Sequence, residues 1–322
     1  MEKVDILLAT YNGEKYLREQ LDSLLNQTYK NFRLLISDDC STDSTREILK
    51  EYVQKDSRMI VYNQSKNQGI IKNFEFLLNK VESKYFMFCD QDDIWKDDKI
   101  DKSVSALEST NSDLVYSDLE VVDEKLNVTY KSYWKLKGIY RKVHHYNNFK
   151  ALYLNNFITG CTILSKKELI KECMPIPADT KYVLYDYWMS LIISQKHKIT
   201  YIDEPLIQYR QHKNNSIGSK KRTDEIQSFD EVRKLFIEVK KQHFSVFIKN
   251  EDKFVDEKYR KLNHKALKYF EMLETKNTVN FSGWLLFIRL YWYEGFIYSL
   301  ENFMILNFPG ITRWLFKFRK NK

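Results

Sequence analysis

The sequence predicts an α/β fold: a mostly parallel sheet with helices on both faces, followed by a helical C-terminal region. Three observations predict it. From residue 4 to residue 89, short apolar runs alternate with stretches of helical periodicity. Three of those runs stop abruptly at polar clusters, where open parallel sheets carry their ligands. Beyond about residue 218 the pattern turns helical, basic and aromatic, with only Gly283, Gly295, Pro309 and Gly310 as breakers.

The elements follow in order. VDILLA (4–9) is a first strand, ending in Thr10-Tyr11-Asn12-Gly13. Leu17, Leu21, Leu24 and Leu25 then recur at helical spacing over residues 14–28. FRLLIS (32–37) is a second strand and ends in Asp38-Asp39; Ser41-Thr42-Asp43 opens a helix with Ile48, Leu49 and Tyr52 inward. MIVYNQ (59–64) is a third strand, NFEFLLNKV (73–81) a helix, and KYFMFC (84–89) a fourth strand. DLVYSDLEVVD (113–123) reads as another strand, and the polar, aromatic and basic residues 124–150 as a mobile excursion. FITGCTILS (157–165) returns to the core as strand or turn, residues 182–195 are helical and largely buried, and 198–212 is a final strand pair. The domain boundary falls near 218–224, giving a domain over 1–220 and a helical region over 221–322.

With 43% hydrophobic residues the chain can bury a sizeable core, which excludes long-range disorder. The net charge of +8 points to an anionic partner: a nucleotide sugar, nucleic acid or an acidic membrane surface. The four cysteines have no CxxC spacing and read as reduced, structural residues of a cytosolic protein. The N-terminus carries no signal-peptide pattern, and no uncharged apolar stretch is long enough for a conventional transmembrane helix.

Residues 86–99, FMFCDQDDIWKDDK, carry the strongest chemical signal. A buried run ends in Asp90, Asp92 and Asp93, carboxylates that repel one another. Either the loop is simply solvated, or a divalent cation turns the repulsion into attraction. With Thr10-Tyr11-Asn12 and Asp38-Asp39, this cluster would meet at one sheet edge. Asp186, in the apolar and aromatic YVLYDYWMSLI, is the carboxylate best placed to act as a base, because burial raises basicity; an N-cap role is the alternative. Tyr187, Trp188 and Trp95 are sugar platforms or core.

In order along residues 4–216, ATYNGEKYLREQLDSLLNQT, SDDCSTDST, CDQDDIW, GCT, YDYW and PLIQYRQHKNNSIG resemble glycosyltransferase family 2, and within it bacterial rhamnosyltransferases of surface polysaccharide synthesis. The resemblance implies a GT-A fold, with a Rossmann-like sheet, and an inverting single displacement from a dTDP- or UDP-sugar. It implies that Asp90 or Asp92 contacts the ribose, that Asp92 holds Mn²⁺ or Mg²⁺ and that His212 ligates it, with Asp93 contributing indirectly. Tyr11 and Asp39 would meet the base, Gly69 and Asn73 would lie near the nucleotide, and Asp38 would either serve the nucleotide or orient its loop. Arg210 would meet phosphate or remain a surface charge; Lys72 would be solvated. Where the family often has Glu-Asp at the catalytic carboxylate, this chain has Tyr185-Asp186, leaving Asp186 the only acidic candidate there.

Residues 282–322 are aromatic and apolar, then basic, with five cations in the last ten residues. They predict peripheral attachment to the cytoplasmic face of a bacterial membrane, near a polyprenyl-linked glycan acceptor; packing on the core or a homodimer interface is the other use of such a segment. A nucleotidyltransferase would share paired carboxylates on a metal, but its Gly-rich basic loop is missing: the first strand is followed by TYNGEKYL. No nucleic-acid motif accompanies the positive charge, so nucleic acid is not an expected partner.

Overall fold

The structure, a computed structural model, describes residues 2–140, 143, 148–213, 215, 229–275 and 286. Two compact units are present. The first comprises residues 1–144, 156–178 and 184–219; the second comprises 145–155, 179–183 and 220–322.

The first unit is built on one sheet. Its strands are β1 (Val4–Thr10), β2 (Phe32–Asp38), β3 (Met59–Asn63), β4 (Tyr85–Cys89), β5 (Ile94–Trp95), β6 (Leu114–Val122), β7 (Val128–Tyr130), β8 (Leu164–Lys166) and β9 (Ile199–Arg210). The order across the sheet is β3-β2-β1-β4-β8-β6-β9-β5, with β7 on the β6 edge. From β3 to β4 all pairs are parallel, as the strand–helix alternation requires. Every residue of β1 and β4 is buried, the continuous apolar pattern of strands covered on both faces. The charged exception, Asp5, is fully paired: Arg33 donates Nε and Nη2 to its two oxygens, each at 2.8 Å, and Ser83 donates its hydroxyl at 2.6 Å.

Beyond β4 the sheet is mixed. β8 runs antiparallel to β4, pairing Met87 with Leu164, so the short 3₁₀ turn Gly160–Thr162 before it sits at the carboxyl end of β4. β6 and β9 are parallel, and their ends Val122 and Arg210 pair at that same edge. The topology therefore brings Thr10, Asp38, Cys89, Gly160 and Arg210 to one rim.

Helices α1 (Leu17–Leu25), α2 (Thr45–Lys55) and α3 (Ile70–Leu78) join the parallel strands, α4 (Lys99–Ser109) links β5 to β6, and each buries a largely apolar face. α3 begins three residues before the expected start because Gly69, at φ +83°, provides the turn into it. Residues 198–212, expected as a strand pair, form one twelve-residue strand, β9; register shifts against β6 around Asp118 absorb Pro205.

The segment expected to be a mobile excursion contains β7 and a short helix, α5 (Tyr133–Leu136). Ser132 caps α5, accepting from the Lys135 N–H, while Asp118 accepts the Trp134 N–H and the Trp134 side chain is buried. The corresponding sequence signal is one tryptophan within a polar stretch.

The second unit is helical where described: α6 (Asn148–Leu154), α9 (Phe229–Lys249) and α10 (Glu257–Thr275). In chain order α7 (Ile170–Cys173) and α8 (Tyr185–Ile193), both of the first unit, lie between them. Tyr153, Phe244, Phe247, Phe254 and Phe270 form its buried aromatic core. Tyr153 donates to Asn263 Oδ1 at 2.6 Å, and Lys240 to Asn155 Oδ1 at 2.9 Å. Among the described residues no helix is long and apolar enough to cross a membrane. The predicted membrane-attachment segment, 282–322, lies outside the described residues apart from Leu286.

Candidate active site

A cavity of about 750 Å³ opens at this rim within the first unit. Thr10, Tyr11, Asp39, Gly69, Asn73, Asp90, Asp92 and Asp186 all line it. Residues separated by up to 176 positions thus converge, because each stands at or just after a strand end or helix start.

One end is built from β1, β2 and the turn into α3. Tyr11 is 46% exposed, which leaves its ring open to a planar ligand. Asp39 is buried and accepts the backbone N–H groups of Gln68 and Gly69, each at 2.8 Å. Asn73 donates to the Ser37 carbonyl at 2.9 Å and keeps a buried Oδ1 with no protein partner. Asp38 does not line the cavity. It is fully buried and accepts from Thr10 Oγ1, the Ser41 N–H and Arg46 Nε, so it orients the loop and does not serve a ligand.

The acidic loop after β4 forms the floor. Gln91 clamps it to the first loop: its Oε1 accepts the Tyr11 N–H at 2.9 Å and its Nε2 donates to the Tyr11 carbonyl at 3.0 Å. A Cβ at Gly13 would stand 2.7 Å from Gln91 Cδ, which explains the glycine. Gln91 is a positioning residue that the sequence reading did not single out, although it stands inside the quoted motif. Asp92 Oδ2 and His212 Nε2 are 2.8 Å apart, and the His212 ring stacks on Tyr16 at 4.7 Å between centroids. Asp92 lines the cavity, and His212 touches Asp92 without lining the cavity itself; a carboxylate and an imidazole in contact are a donor pair that fits a Mn²⁺- or Mg²⁺-type cation.

Asp93 is wholly buried and does not line the cavity. Its Oδ1 accepts the Arg210 N–H at 3.0 Å, whereas Oδ2 lacks a protein partner. Ligand atoms of Asp90, Asp93 and Cys161 lie within 4.8 Å of one another. Burial pushes the Cys161 thiol up, so it stays protonated beside the two carboxyls, a poor partner for a hard cation. Burial, then repulsion from Asp92 and Asp186, pushes Asp90 up to about 7, and burial drives Asp93 well above the ordinary carboxylate range.

Arg210 likewise departs from its expected phosphate role. Its side chain is buried, donating to the carbonyls of Asp92 and Glu124 at 2.9 Å each and to the Glu19 carboxylate. It therefore ties β9 to the acidic loop and does not face the cavity. Lys72 pairs with Glu75 on the surface. Trp95, Tyr187 and Trp188 are buried core, not sugar platforms. Lys99, whose ammonium lies 3.8 Å from the Trp95 ring centroid, is pushed down to about 7 by burial.

Asp186 opens helix α8 facing the cavity. Its Oδ1 accepts the Tyr187 N–H at 2.6 Å and its Oδ2 the Gly160 N–H at 3.0 Å. Burial nevertheless outweighs these bonds and pushes its pKa up to about 6. Gly160 is required here, because a Cβ would lie 2.8 Å from Tyr185 Cε2 and Cζ, and that ring is wedged between Phe74 and Phe88. A Gly160→Ala variant should lose about 1–3 kcal/mol of stability and much of its activity; a melting curve beside a turnover assay checks both.

A family model described as "Glycosyl transferase family 2" matches residues 5–174. The chain belongs to glycosyltransferase family 2. Among curated relatives, dTDP-rhamnosyl transferase RfbG of Shigella flexneri is 31% identical over 66% of this chain and 74% of its own length. An uncharacterized glycosyltransferase of Methanocaldococcus jannaschii, MJ1057, is 29% identical over 64% of this chain and 70% of its own. Among solved structures, S. aureus TarS 1-349 in complex with UDP-GlcNAc aligns with a TM-score of 0.58 at 19% identity, covering 89% of this chain and 79% of that one. The mannosyltransferase PcManGT from Pyrobaculum calidifontis, in complex with GDP-Man and Mn²⁺, gives 0.57 at 14% identity over 84% and 70%. These likenesses establish the expected GT-A fold, and family membership makes this glycosyltransferase an enzyme of sugar transfer.

Proposed function

We propose that this family 2 enzyme moves a sugar, with inversion, from a nucleoside-diphosphate donor to a hydroxyl of a lipid-linked or growing cell-surface glycan. The observation that carries the reading is the convergence of Tyr11, Asp39, Asp90, Asp92 and Asp186 on one cavity. Tyr11 stacks on the base and Asp39 accepts from its ring N–H. Asp90 meets the ribose. Asp92 and His212 hold Mn²⁺ or Mg²⁺, which supplies Lewis-acid neutralisation of the diphosphate leaving group. Asp186 accepts the proton of the acceptor hydroxyl as that oxygen attacks the anomeric carbon. Its two backbone hydrogen bonds hold the carboxylate in place for that transfer.

For the donor, likeness to the Shigella rhamnosyl transferase supports dTDP-β-L-rhamnose. A UDP-hexose is the second reading, favoured by the fold shared with a protein solved with UDP-GlcNAc. The aromatic, basic residues 282–322 attach the enzyme to the cytoplasmic membrane surface, where a polyprenyl-linked acceptor resides; a dimer contact is their other use. Donor hydrolysis should be measured across a panel of dTDP- and UDP-sugars with Mn²⁺. One donor should turn over at least about tenfold faster than the others, the discrimination expected when a pocket hydrogen-bonds sugar hydroxyls. Hydrolysis of none, with or without acceptor lipid, would refute the reading.

A further inference from the structure

The charges lining the active-site cavity are unequal. Four carboxylates line it, those of Asp39, Asp90, Asp92 and Asp186. Among the described lining residues, Lys137 is the only lysine or arginine. A diphosphate brought among these carboxylates meets repulsion, which a cation held at Asp92 would offset in part. Arg210, the other cation expected there, is buried and committed to the carbonyls of Asp92 and Glu124 and to Glu19.

Lys137 is held where it can act. It caps the C-terminal end of α5, its backbone N–H donating to the Tyr133 carbonyl at 2.9 Å. Its Nζ lies 5.5 Å from the Tyr133 ring centroid, and Tyr133 and Ile139 line the same cavity. The ammonium thus sits beside an aromatic ring of the wall, on a flexible stem, and an ammonium can donate to a phosphate oxygen. The neighbouring Lys135 serves a different surface, a separate depression it shares with Tyr130 and Asp203.

We propose that Lys137 is the anion-reading residue of this cavity and binds a phosphate oxygen of a substrate diphosphate. The proposal rests on the nucleotide-sugar reading above. Two substrates offer that chemistry, the donor nucleotide and a lipid diphosphate acceptor.

Calorimetry on the whole 322-residue chain with Mn²⁺ tests it, using dTDP, UDP and thymidine, and then farnesyl diphosphate with the nucleotide site saturated. Lys137→Ala should weaken diphosphate binding about tenfold to a hundredfold, the span of one charge-assisted hydrogen bond. Thymidine affinity should stay unchanged, Lys137→Arg should retain most of the affinity, and Lys135→Ala, with the same change in charge, should match the wild type. Loss confined to the nucleotides identifies the donor as the source; loss confined to farnesyl diphosphate identifies the acceptor. If Lys137→Ala matches Lys135→Ala for every probe, the proposal is overturned while the cavity reading stands. If the wild type binds no nucleoside diphosphate, the cavity reading itself falls and takes this proposal with it.

Discussion

An Asp186→Asn variant should bind nucleoside diphosphate as the wild type does and transfer sugar about 10²–10⁴-fold more slowly, the range for loss of a general base. The expectation follows from where the carboxylate sits. It is 7% exposed, fixed by the N–H groups of Tyr187 and Gly160, and pushed up to about 6 by burial. A base must be unprotonated to act. The wild-type kcat/KM should therefore fall as pH drops below about 6 and level off above it, and the asparagine variant should lack that limb. Stability should move the other way. A folded-state pKa raised above the ordinary value means that the folded protein holds this proton more tightly than the unfolded chain. The resulting stabilisation is full below about pH 4 and lost as pH rises through about 6. Asparagine offers one oxygen in place of two, so one of the two backbone bonds weakens, costing about 1 kcal/mol. A melting curve separates that cost from the loss of chemistry.

Strand ends were the part of this molecule most open to sequence reading. An apolar run that stops at Asp90, or at Thr10-Tyr11, marks its own boundary, and parallel order then carries those residues to one rim. Asp92 and His212, 120 residues apart, are in contact. What the sequence did not disclose was which carboxylates face the cavity and which face the protein. Asp38 and Asp39 are adjacent, yet strand alternation turns Asp38 toward Ser41 and Arg46 and leaves Asp39 at the cavity wall. Arg210 closes β9 one residue before the first loop position, and its guanidinium points in among the acidic loop, Glu124 and Glu19, not out to solvent. Lys137 escaped notice because α5 is four residues long, too short to display a helical period.

Removing Asp92 should abolish the dependence of nucleotide binding on the cation. Loss of groups that merely support a metal ligand costs about 10–100-fold in metal affinity, so Asp92→Asn should reach the top of that range or beyond for Mn²⁺. Wild-type protein in chelator should bind dTDP no better than the variant does in Mn²⁺. His212→Ala tests the same centre from the other strand. It also removes the ring stacked on Tyr16, so a melting curve must accompany it. If both residues hold one ion, the double variant should lose little more than the worse single one, since contacts to a shared partner are not additive. A spectroscopic readout separates ligation from support. Asp92 Oδ2 and His212 Nε2 are now 2.8 Å apart, sharing a hydrogen bond. A cation held by both atoms must take the place of that bond, so substoichiometric Mn²⁺ should broaden the His212 ring resonances strongly and leave those of His197, at the opposite end of β9, sharp. Equal broadening of the two histidines, or dTDP affinity unchanged by chelator, would remove the cation from the mechanism and return the acidic loop to being an uncompensated strand end.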